Sequence, residues 1–295
     1  MGTAIPLADE TWNPVTGCTK TSPGCANCYI ERTPPFRMSG RKFVDGTTGV
    51  QLHPERLDKP LHWRKPRRIF VCSLADLFHE DVPDGFIESV LDVAMKAPQH
   101  VYQVLTKRPE RMREIMLRYY NLDDRALELD IPRDTEPLPN LWLGVTIENA
   151  RYTYRADILR EIPAVVRFIS AEPLLGSLFL YDDRDIGFMS DRALRRKAEG
   201  KARRGMYRPL DLTGIDWLIA GAESGPHARP MNEKWVRELR DACLAELPCH
   251  TCEAGDPCFA CKPTRPAFFY KQQIVSGRKV ECPELDVRQW IEFPA

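Results

Sequence analysis

Short runs of apolar residues recur along the chain, rich in β-branched and aromatic side chains and with little alternation between apolar and polar positions. This pattern is typical of strands that are buried on both faces of a sheet. Six such runs occupy residues 69–72, 101–105, 141–145, 165–169, 217–220 and 267–270, and a further strand is predicted near residues 11–16.

Amphipathic helical segments lie between several of these strands. Their apolar stripes run through residues 87–94, 112–119, 154–162 and 235–243, and Asn232 is a suitable N-cap for the last. Strand–helix alternation at this spacing indicates βαβ units and a parallel sheet. We therefore predict an α/β fold, a full or partial (β/α) barrel. The alternative is a doubly wound open sheet, although the Gly-x-Gly-x-x-Gly sequence of a dinucleotide fold is absent.

The 295 residues are predicted to form one barrel domain over 1–295, because barrels routinely exceed the usual domain size. Two insertions interrupt it: a charged segment at 181–211 and a cysteine-rich segment at 248–265. No apolar run approaches the roughly 18 residues of a membrane span, and no secretory signal opens the chain. We therefore expect a cytoplasmic protein with no membrane contact.

Net charge does not indicate a nucleic-acid partner, since 42 basic and 42 acidic residues cancel. Two stretches, residues 62–68 and 192–208, are nevertheless strongly basic and could bind phosphate groups. DNA, RNA or a nucleotide is the class of partner that these stretches suggest.

Polar, chemically capable side chains follow nearly every predicted strand. In a parallel barrel the carboxyl ends of the strands open on one face, which is where active sites lie. Any one of these side chains could instead cap a helix, but six strands with the same feature predict a polar pocket. The candidates are Asp76, Lys107, Arg108, Thr146, Glu148, Ser170, Glu172 and Glu223.

Ten cysteines in a chain without an export signal indicate metal ligands or reactive thiols rather than disulfides. Three of them, Cys18, Cys25 and Cys28, fall within eleven residues in the spacing Cys-x6-Cys-x2-Cys. A structural zinc ion takes four ligands, whereas an iron–sulfur cluster held by three thiolates keeps one iron open. Zinc is the alternative here, and it would need a fourth donor such as His53, Cys72 or His79.

The motifs around these residues resemble a phage and prophage family of radical S-adenosylmethionine (SAM)-like proteins, and more distantly the spore photoproduct lyase family. The resemblance covers most of the chain. It is carried by TWNPVTGC (11–18), CANCY (25–29), SLADLFH (73–79), LTKRP (105–109), LGVTIEN (143–149), SAEPLLG (170–176) and GAESG (221–225).

The resemblance implies that Cys18, Cys25 and Cys28 hold a [4Fe–4S] cluster whose open iron binds SAM. Cleavage of SAM would then yield a radical that removes hydrogen from a substrate. The first gap between cysteines is six residues here instead of three, and the aromatic residue, Tyr29, follows the last cysteine instead of preceding it. The candidate contacts to SAM or substrate are Tyr29, Asp76, Lys107, Thr146, Glu148, Ser170, Glu172 and Glu223.

A second cluster has the spacing Cys-x2-Cys-x5-Cys-x2-Cys and comprises Cys249, Cys252, Cys258 and Cys261. Two adjacent Cys-x-x-Cys pairs satisfy tetrahedral zinc, so we predict a structural zinc site. A second iron–sulfur cluster is the alternative.

The leading interpretation is therefore a radical SAM enzyme that acts on a nucleic acid or nucleotide, by modification or photoproduct repair. It would need a reductase or flavodoxin-type electron donor. Two alternatives stay open at this point: a non-catalytic, zinc-bearing phage protein that binds nucleic acid, and an iron–sulfur electron carrier.

Overall fold

The computed structural model of the protein describes residue 3 and residues 5–123, 136–179, 209–245 and 265–294. The four cysteines of the second cluster lie outside the described residues, as does all of the predicted charged insertion except residues 209–211. The prediction of a zinc site and that of a single domain with two insertions therefore stay predictions.

Eight strands form one hydrogen-bonded sheet: β1 Glu10–Trp12, β4 Arg68–Val71, β5 Val101–Thr106, β6 Leu141–Thr146, β7 Val166–Ala171, β8 Trp217–Gly221, β9 Ala267–Val275 and β10 Arg278–Glu281. Their order in the sheet is β1-β4-β5-β6-β7-β8-β9-β10. The pairs β1–β4, β4–β5, β5–β6 and β8–β9 are parallel, and β9–β10 is antiparallel. Two small antiparallel sheets pair β2 Val15–Thr16 with β3 Gln51–Leu52, and β11 Glu284–Leu285 with β12 Arg288–Gln289.

Five α-helices occupy the described parts of the chain, mostly in the connections between strands. They are α1 Pro34–Ser39, α2 Asp84–Lys96, α3 Pro109–Tyr119, α4 Tyr154–Arg160 and α5 Glu233–Leu244. As predicted, the Asn232 side chain caps α5 by accepting the backbone N–H of Lys234 at 2.9 Å. Parallel strands joined through helices confirm the α/β class and have the topology of a partial (β/α) barrel.

The chain packs into two compact units. The first comprises Met1–Thr146, Ile158–Phe168 and Ser224–His227. Its core includes Trp12, which meets Tyr102 edge-to-face with ring centroids 5.9 Å apart. The apolar faces of α2 and α3 are buried in the same unit, at Ile87, Val90, Leu91, Met112, Ile115 and Met116.

The second unit comprises Ile147–Asp157, Ile169–Glu223 and Ala228–Ala295. All five residues of β8 are buried, and Trp217 meets Phe269 of β9 edge-to-face at 6.1 Å. This burial on both faces explains why β8 appears in the sequence as a continuous apolar run.

The predicted first strand is corrected to two strands that belong to different sheets. β1 pairs with β4, and β2 pairs with β3. Pro14, which lies between them, has no backbone N–H to donate to a ladder. None of the helices in the described ranges has the length and apolar character that a bilayer crossing requires.

Candidate functional site

The loop that carries the three predicted cluster cysteines begins at Gly17, directly after β2. Gly17 has a φ of +94°, and a Cβ atom there would lie 1.7 Å from the carbonyl oxygen of Gly49. Only glycine fits this conformation and this close approach. The Cys18 N–H donates to Thr48 Oγ1 at 2.9 Å, so the first cysteine is held firmly at the start of the loop.

The other two cysteines lie at the ends of short 3₁₀ turns. Cys25 ends the turn Pro23–Cys25, and Cys28 immediately precedes the turn Tyr29–Arg32. The hydroxyl oxygens of Thr21 and Ser22 each lie 3.9 Å from Cys25 Sγ. The Tyr29 hydroxyl donates to the carbonyl oxygen of Ser73, which anchors the end of the loop in the segment that follows β4.

The three thiols are close enough to influence one another electrostatically. Burial raises the pKa of Cys18 to about 12, and the charges of Asp76 and of the Cys25 and Cys28 thiolates contribute to the rise. Burial likewise raises the pKa of Cys28, with a further contribution from Cys25. A cationic ligand or neighbouring cation is therefore needed to stabilise all three as thiolates.

Cys25 differs from its two partners because its pKa is lowered. Burial acts to raise the pKa of Cys25, but the Lys107 ammonium and the backbone N–H groups of Thr21 and Ser22 outweigh it. Hydrogen bonds and a nearby cation favour the ionised form of a thiol. Cys25 is thus the most readily ionised of the three thiols.

Arg108 connects the cysteine loop to the end of β5. Its Nη1 lies 4.0 Å from Cys18 Sγ, and its Nη2 donates to the carbonyl oxygen of Thr19 at 3.2 Å. Asp76 Oδ2 accepts from the same Nη1 at 3.2 Å, and Glu80 Oε2 accepts from Nε at 3.2 Å. The Arg108 side chain is only 11% exposed, because the cysteine loop and the two carboxylates enclose its guanidinium.

The predicted candidate Asp76 lies in this same network. Its Oδ1 accepts from Thr106 Oγ1 at 2.7 Å and from the backbone N–H of Phe78 at 3.0 Å, while Oδ2 also accepts the Lys107 N–H at 3.0 Å. A buried carboxylate with this many donors orients the groups around it. The Lys107 ammonium donates to Thr146 Oγ1 at 3.4 Å, so three predicted candidates meet in the first unit.

The structure gives the partners or burial of each of the three side chains considered as a fourth zinc donor. His79 is fully buried, with Nδ1 accepting the Asp81 N–H at 3.0 Å and Nε2 lying 2.8 Å from Thr19 Oγ1. His53 is engaged at both nitrogens, by Thr16 and Glu55. Cys72 is buried after β4, where burial raises its pKa.

A contact that sequence reasoning missed joins the cysteine loop to residues 224–227 of the same unit. Asn27 Nδ2 donates to the carbonyl oxygen of His227 at 2.9 Å, and Arg32 Nη2 donates to that of Ser224 at 3.2 Å. Gly225 has a φ of +108°, and its missing side chain makes room for Arg32. Residues 224 and 225 belong to the GAESG motif, but that motif alone does not indicate that this segment contacts the cysteine loop.

Four predicted candidates lie in the second unit, at or just after strands. Glu148 is fully buried and pairs with Arg155, whose Nη1 is 3.0 Å from Glu148 Oε2. Ser170 is buried near the end of β7, and its carbonyl oxygen accepts the Ile147 N–H at 3.0 Å. Glu148 and Arg155 thus form a buried ion pair.

Glu172 and Glu223 are also engaged by cations. Lys271 Nζ lies 2.6 Å from Glu172 Oε2, and the Arg229 side chain donates to both carboxylate oxygens of Glu223. Gly221 lies beside Glu172, because a Cβ atom at Gly221 would be 3.3 Å from the Glu172 carboxyl carbon. Both carboxylates are therefore paired with cations, and the polar pocket predicted at the strand ends stays a prediction.

The basic stretch at residues 62–68 is partly neutralised. Arg67 pairs with Glu10 at 2.6 Å, and Arg68 binds both carboxylate oxygens of Asp9. The cationic residues of this stretch with exposed side chains are Arg64 and Lys65.

In the part of the chain that the structure describes, no three His, Cys, Asp or Glu side chains are grouped so as to hold one metal ion. The three thiols of the loop nevertheless lie within electrostatic range of one another. Cysteine thiolates are the usual ligands of an iron–sulfur cluster, in which they bind separate irons, so the chemistry of these three donors fits such a cluster. The donor set Cys18, Cys25 and Cys28, lined by two cations, could hold such a cluster.

Fold and site together define an α/β protein with a three-thiol loop that begins after a short N-terminal strand. The chain belongs to the family described as "Protein of unknown function (DUF5131)", whose model matches residues 2–294.

Two solved structures are similar to this chain: a spore photoproduct lyase mutant, with a TM-score of 0.38 and 13% identity, and a spore photoproduct lyase complexed with dinucleoside spore photoproduct, at 0.37 and 12%. Each alignment covers 73% of this chain and 56% of the other, so the chain spans little more than half the length of these structures. Likeness at this level supports no argument about activity. No curated protein matches the chain.

Proposed function

We propose that this chain is a radical SAM enzyme that holds a [4Fe–4S] cluster on Cys18, Cys25 and Cys28. The observation that supports the proposal is one loop that carries three thiols, with Arg108 Nη1 4.0 Å from Cys18 Sγ. Thiolates bound to iron need compensating positive charge when they are buried. The motif resemblance supports SAM as the second cofactor.

When bound, such a cluster supplies the electron that cleaves SAM and so generates a radical able to remove hydrogen from a substrate. The chain's own residues hold and orient the cofactors. We propose that Tyr29, Asp76, Lys107 and Thr146 of the first unit contact SAM or substrate. Within the second unit, the proposed ligand contacts are Glu148, Ser170, Glu172 and Glu223. The Tyr29 hydroxyl and the Asp76 carboxylate contribute by fixing the loop and the cations beside it.

The proposed substrate is a nucleic acid or a nucleotide. This rests on the resemblance to the spore photoproduct lyase family and to the phage and prophage family, and on the exposed cations Arg64 and Lys65. The proposal includes a cytoplasmic location, a reductase or flavodoxin-type electron donor, and zinc or a second iron–sulfur cluster on Cys249, Cys252, Cys258 and Cys261.

The test is anaerobic purification and reconstitution of wild type beside Cys25→Ala, followed by incubation with SAM and dithionite. Wild type should release 5′-deoxyadenosine, and Cys25→Ala should release none. Zinc at both cysteine clusters, without iron, would contradict the proposal and favour a zinc-bearing binding protein. An iron cluster that is reduced and reoxidised but never cleaves SAM would favour an electron carrier.

A further inference from the structure

We propose that Arg41 is a positioning residue for the cluster ligand Cys18, and that it acts through the backbone of residues 48 and 49. The inference rests on the proposed function and deepens it, because it identifies the side chain that holds the first thiol in place. All the residues involved lie in the first unit.

The guanidinium of Arg41 connects β2 to the segment that precedes β3. Its Nη1 donates to Thr16 Oγ1 at 3.2 Å and to Gln51 Oε1 at 2.8 Å. Its Nη2 donates to the carbonyl oxygens of Thr48, at 3.2 Å, and of Gly49. These acceptors are hydroxyl, amide and carbonyl oxygens, so the rigid fork of donors holds backbone and uncharged side chains in place.

Thr48 transmits this restraint to Cys18 through two hydrogen bonds. The Cys18 N–H donates to Thr48 Oγ1 at 2.9 Å, and the Thr48 N–H donates to the Cys18 carbonyl oxygen at 3.0 Å. A Cβ atom on Gly17 would collide with both the Gly49 carbonyl oxygen and Arg41 Nη2, so the guanidinium lies directly against the residue that precedes Cys18. The place of the first thiol therefore depends on where Arg41 holds residues 48 and 49.

Arg41 is itself fixed on α1. Its backbone N–H donates to the Phe36 carbonyl oxygen at 3.0 Å, and its guanidinium carbon lies 4.6 Å from the centroid of the buried Phe36 ring. A cation over an aromatic ring is attracted to the electron-rich face of the ring. Arg41 is thus restrained at both its backbone and its guanidinium, as an anchor for the loop requires.

The experiment measures the rate at which iodoacetamide alkylates each cysteine of the full chain without iron, read by peptide mass spectrometry. The variants are Arg41→Met, which removes the donors, and Arg41→Lys, which keeps the charge but loses the fork. Arg37→Met is the matched control, because Arg37 is exposed on the same helix α1 that fixes Arg41. The buried thiols of Cys72 and Cys243 report general unfolding.

Cys18 should be alkylated about tenfold faster in Arg41→Met and in Arg41→Lys, since hydrogen bonds from a charged donor contribute at least this factor. Cys72 and Cys243 should keep their wild-type rates, and Arg37→Met should match wild type at every cysteine. Loss of a positive charge alone would disfavour the reactive thiolate and slow alkylation, so a faster reaction reports freer movement of Cys18.

Thr48→Val tests whether Arg41 acts through Thr48, because it removes the hydroxyl that accepts the Cys18 N–H. Alkylation of Cys18 should be faster in Thr48→Val as well. The double variant with Arg41→Met should be no faster than the faster single variant, since residues in one network have non-additive effects. Two effects that multiply would contradict the route through Thr48.

The same variants are then reconstituted with iron under anaerobic conditions. Arg41→Met and Arg41→Lys should lose iron to a chelator about tenfold faster than wild type, because their first ligand is no longer held in place. Wild-type iron retention in a variant whose Cys18 is alkylated faster would overturn the role of Arg41 toward the cluster.

Unchanged alkylation of Cys18 in Arg41→Met, or wild-type alkylation in Arg41→Lys, would overturn the inference. Equal acceleration at Cys72 and Cys243 would also overturn it, because it would indicate a general loss of stability. Alkylation is measured without iron, so none of these outcomes contradicts the proposed function. Failure of wild type to bind iron on the three cysteines would contradict the proposed function, whereas the alkylation rates would still decide whether Arg41 holds Cys18.

Discussion

Replacing Gly17 with alanine tests the geometry on which the cysteine loop depends. Alanine at a φ of +94° carries a backbone strain of about 1–2 kcal/mol. Its Cβ would also lie 1.7 Å from the Gly49 carbonyl oxygen, so the backbone must shift, and overpacking of this kind costs about 1–3 kcal/mol. We therefore expect Gly17→Ala to lower the free energy of unfolding by about 2–5 kcal/mol.

The matched control is Gly46→Ala, because Gly46 also has a positive φ, +82°, but nothing lies within 4 Å of its added Cβ. Urea unfolding of both variants and wild type, without iron, gives the free energies. Gly46→Ala should lower the free energy of unfolding by the backbone strain alone, about 1–2 kcal/mol. Equal losses in the two variants would refute the close approach of Gly17 to Gly49. Iron uptake on reconstitution should fall in Gly17→Ala alone, since Cys18 is the next residue.

Three further predictions concern buried groups, each measured by urea unfolding. Glu148→Gln removes the carboxylate charge from the buried ion pair with Arg155 and should cost about 3–5 kcal/mol, so a loss below 1 kcal/mol would contradict the pairing. Gly144→Ala places a Cβ 2.4 Å from the Phe168 ring and should cost about 1–3 kcal/mol; wild-type stability would contradict this contact. Burial and the Arg108 charge hold the pKa of His79 below its ordinary 6.5. The contribution of neutral His79 to the free energy of unfolding is therefore complete above pH 6.5 and is lost as the pH falls toward the native pKa. His79→Asn should therefore show a flatter pH dependence of stability between about pH 7 and 5, and an identical slope would contradict it.

The strands that could be predicted from sequence are those whose burial appears in the sequence itself. β6 and β8 are almost wholly buried and form nearly continuous apolar runs, and the run of β5 is interrupted by Gln103. β10 and β12 are exposed and short, so they carry no such signal. β9 extends past its predicted end because its last residues pair with β10.

The cysteine loop was predictable because its chemistry is local, with three thiols within eleven residues. The surroundings of those thiols were not, because they come from distant positions. Arg108 contacts residues 89 and 90 positions earlier, and Asn27 contacts a residue 200 positions later. Several strand-end carboxylates, Glu172 among them, are paired with cations whose identity no motif reveals.

The most direct test of the central claim is Mössbauer spectroscopy of ⁵⁷Fe-reconstituted wild type beside a Cys18→Ser, Cys25→Ser, Cys28→Ser triple variant. We predict that wild type contains the spectrum of a [4Fe–4S] cluster and that the triple variant lacks about four of its iron atoms. Equal iron content and identical spectra in the two proteins would contradict the assignment of a cluster to this loop.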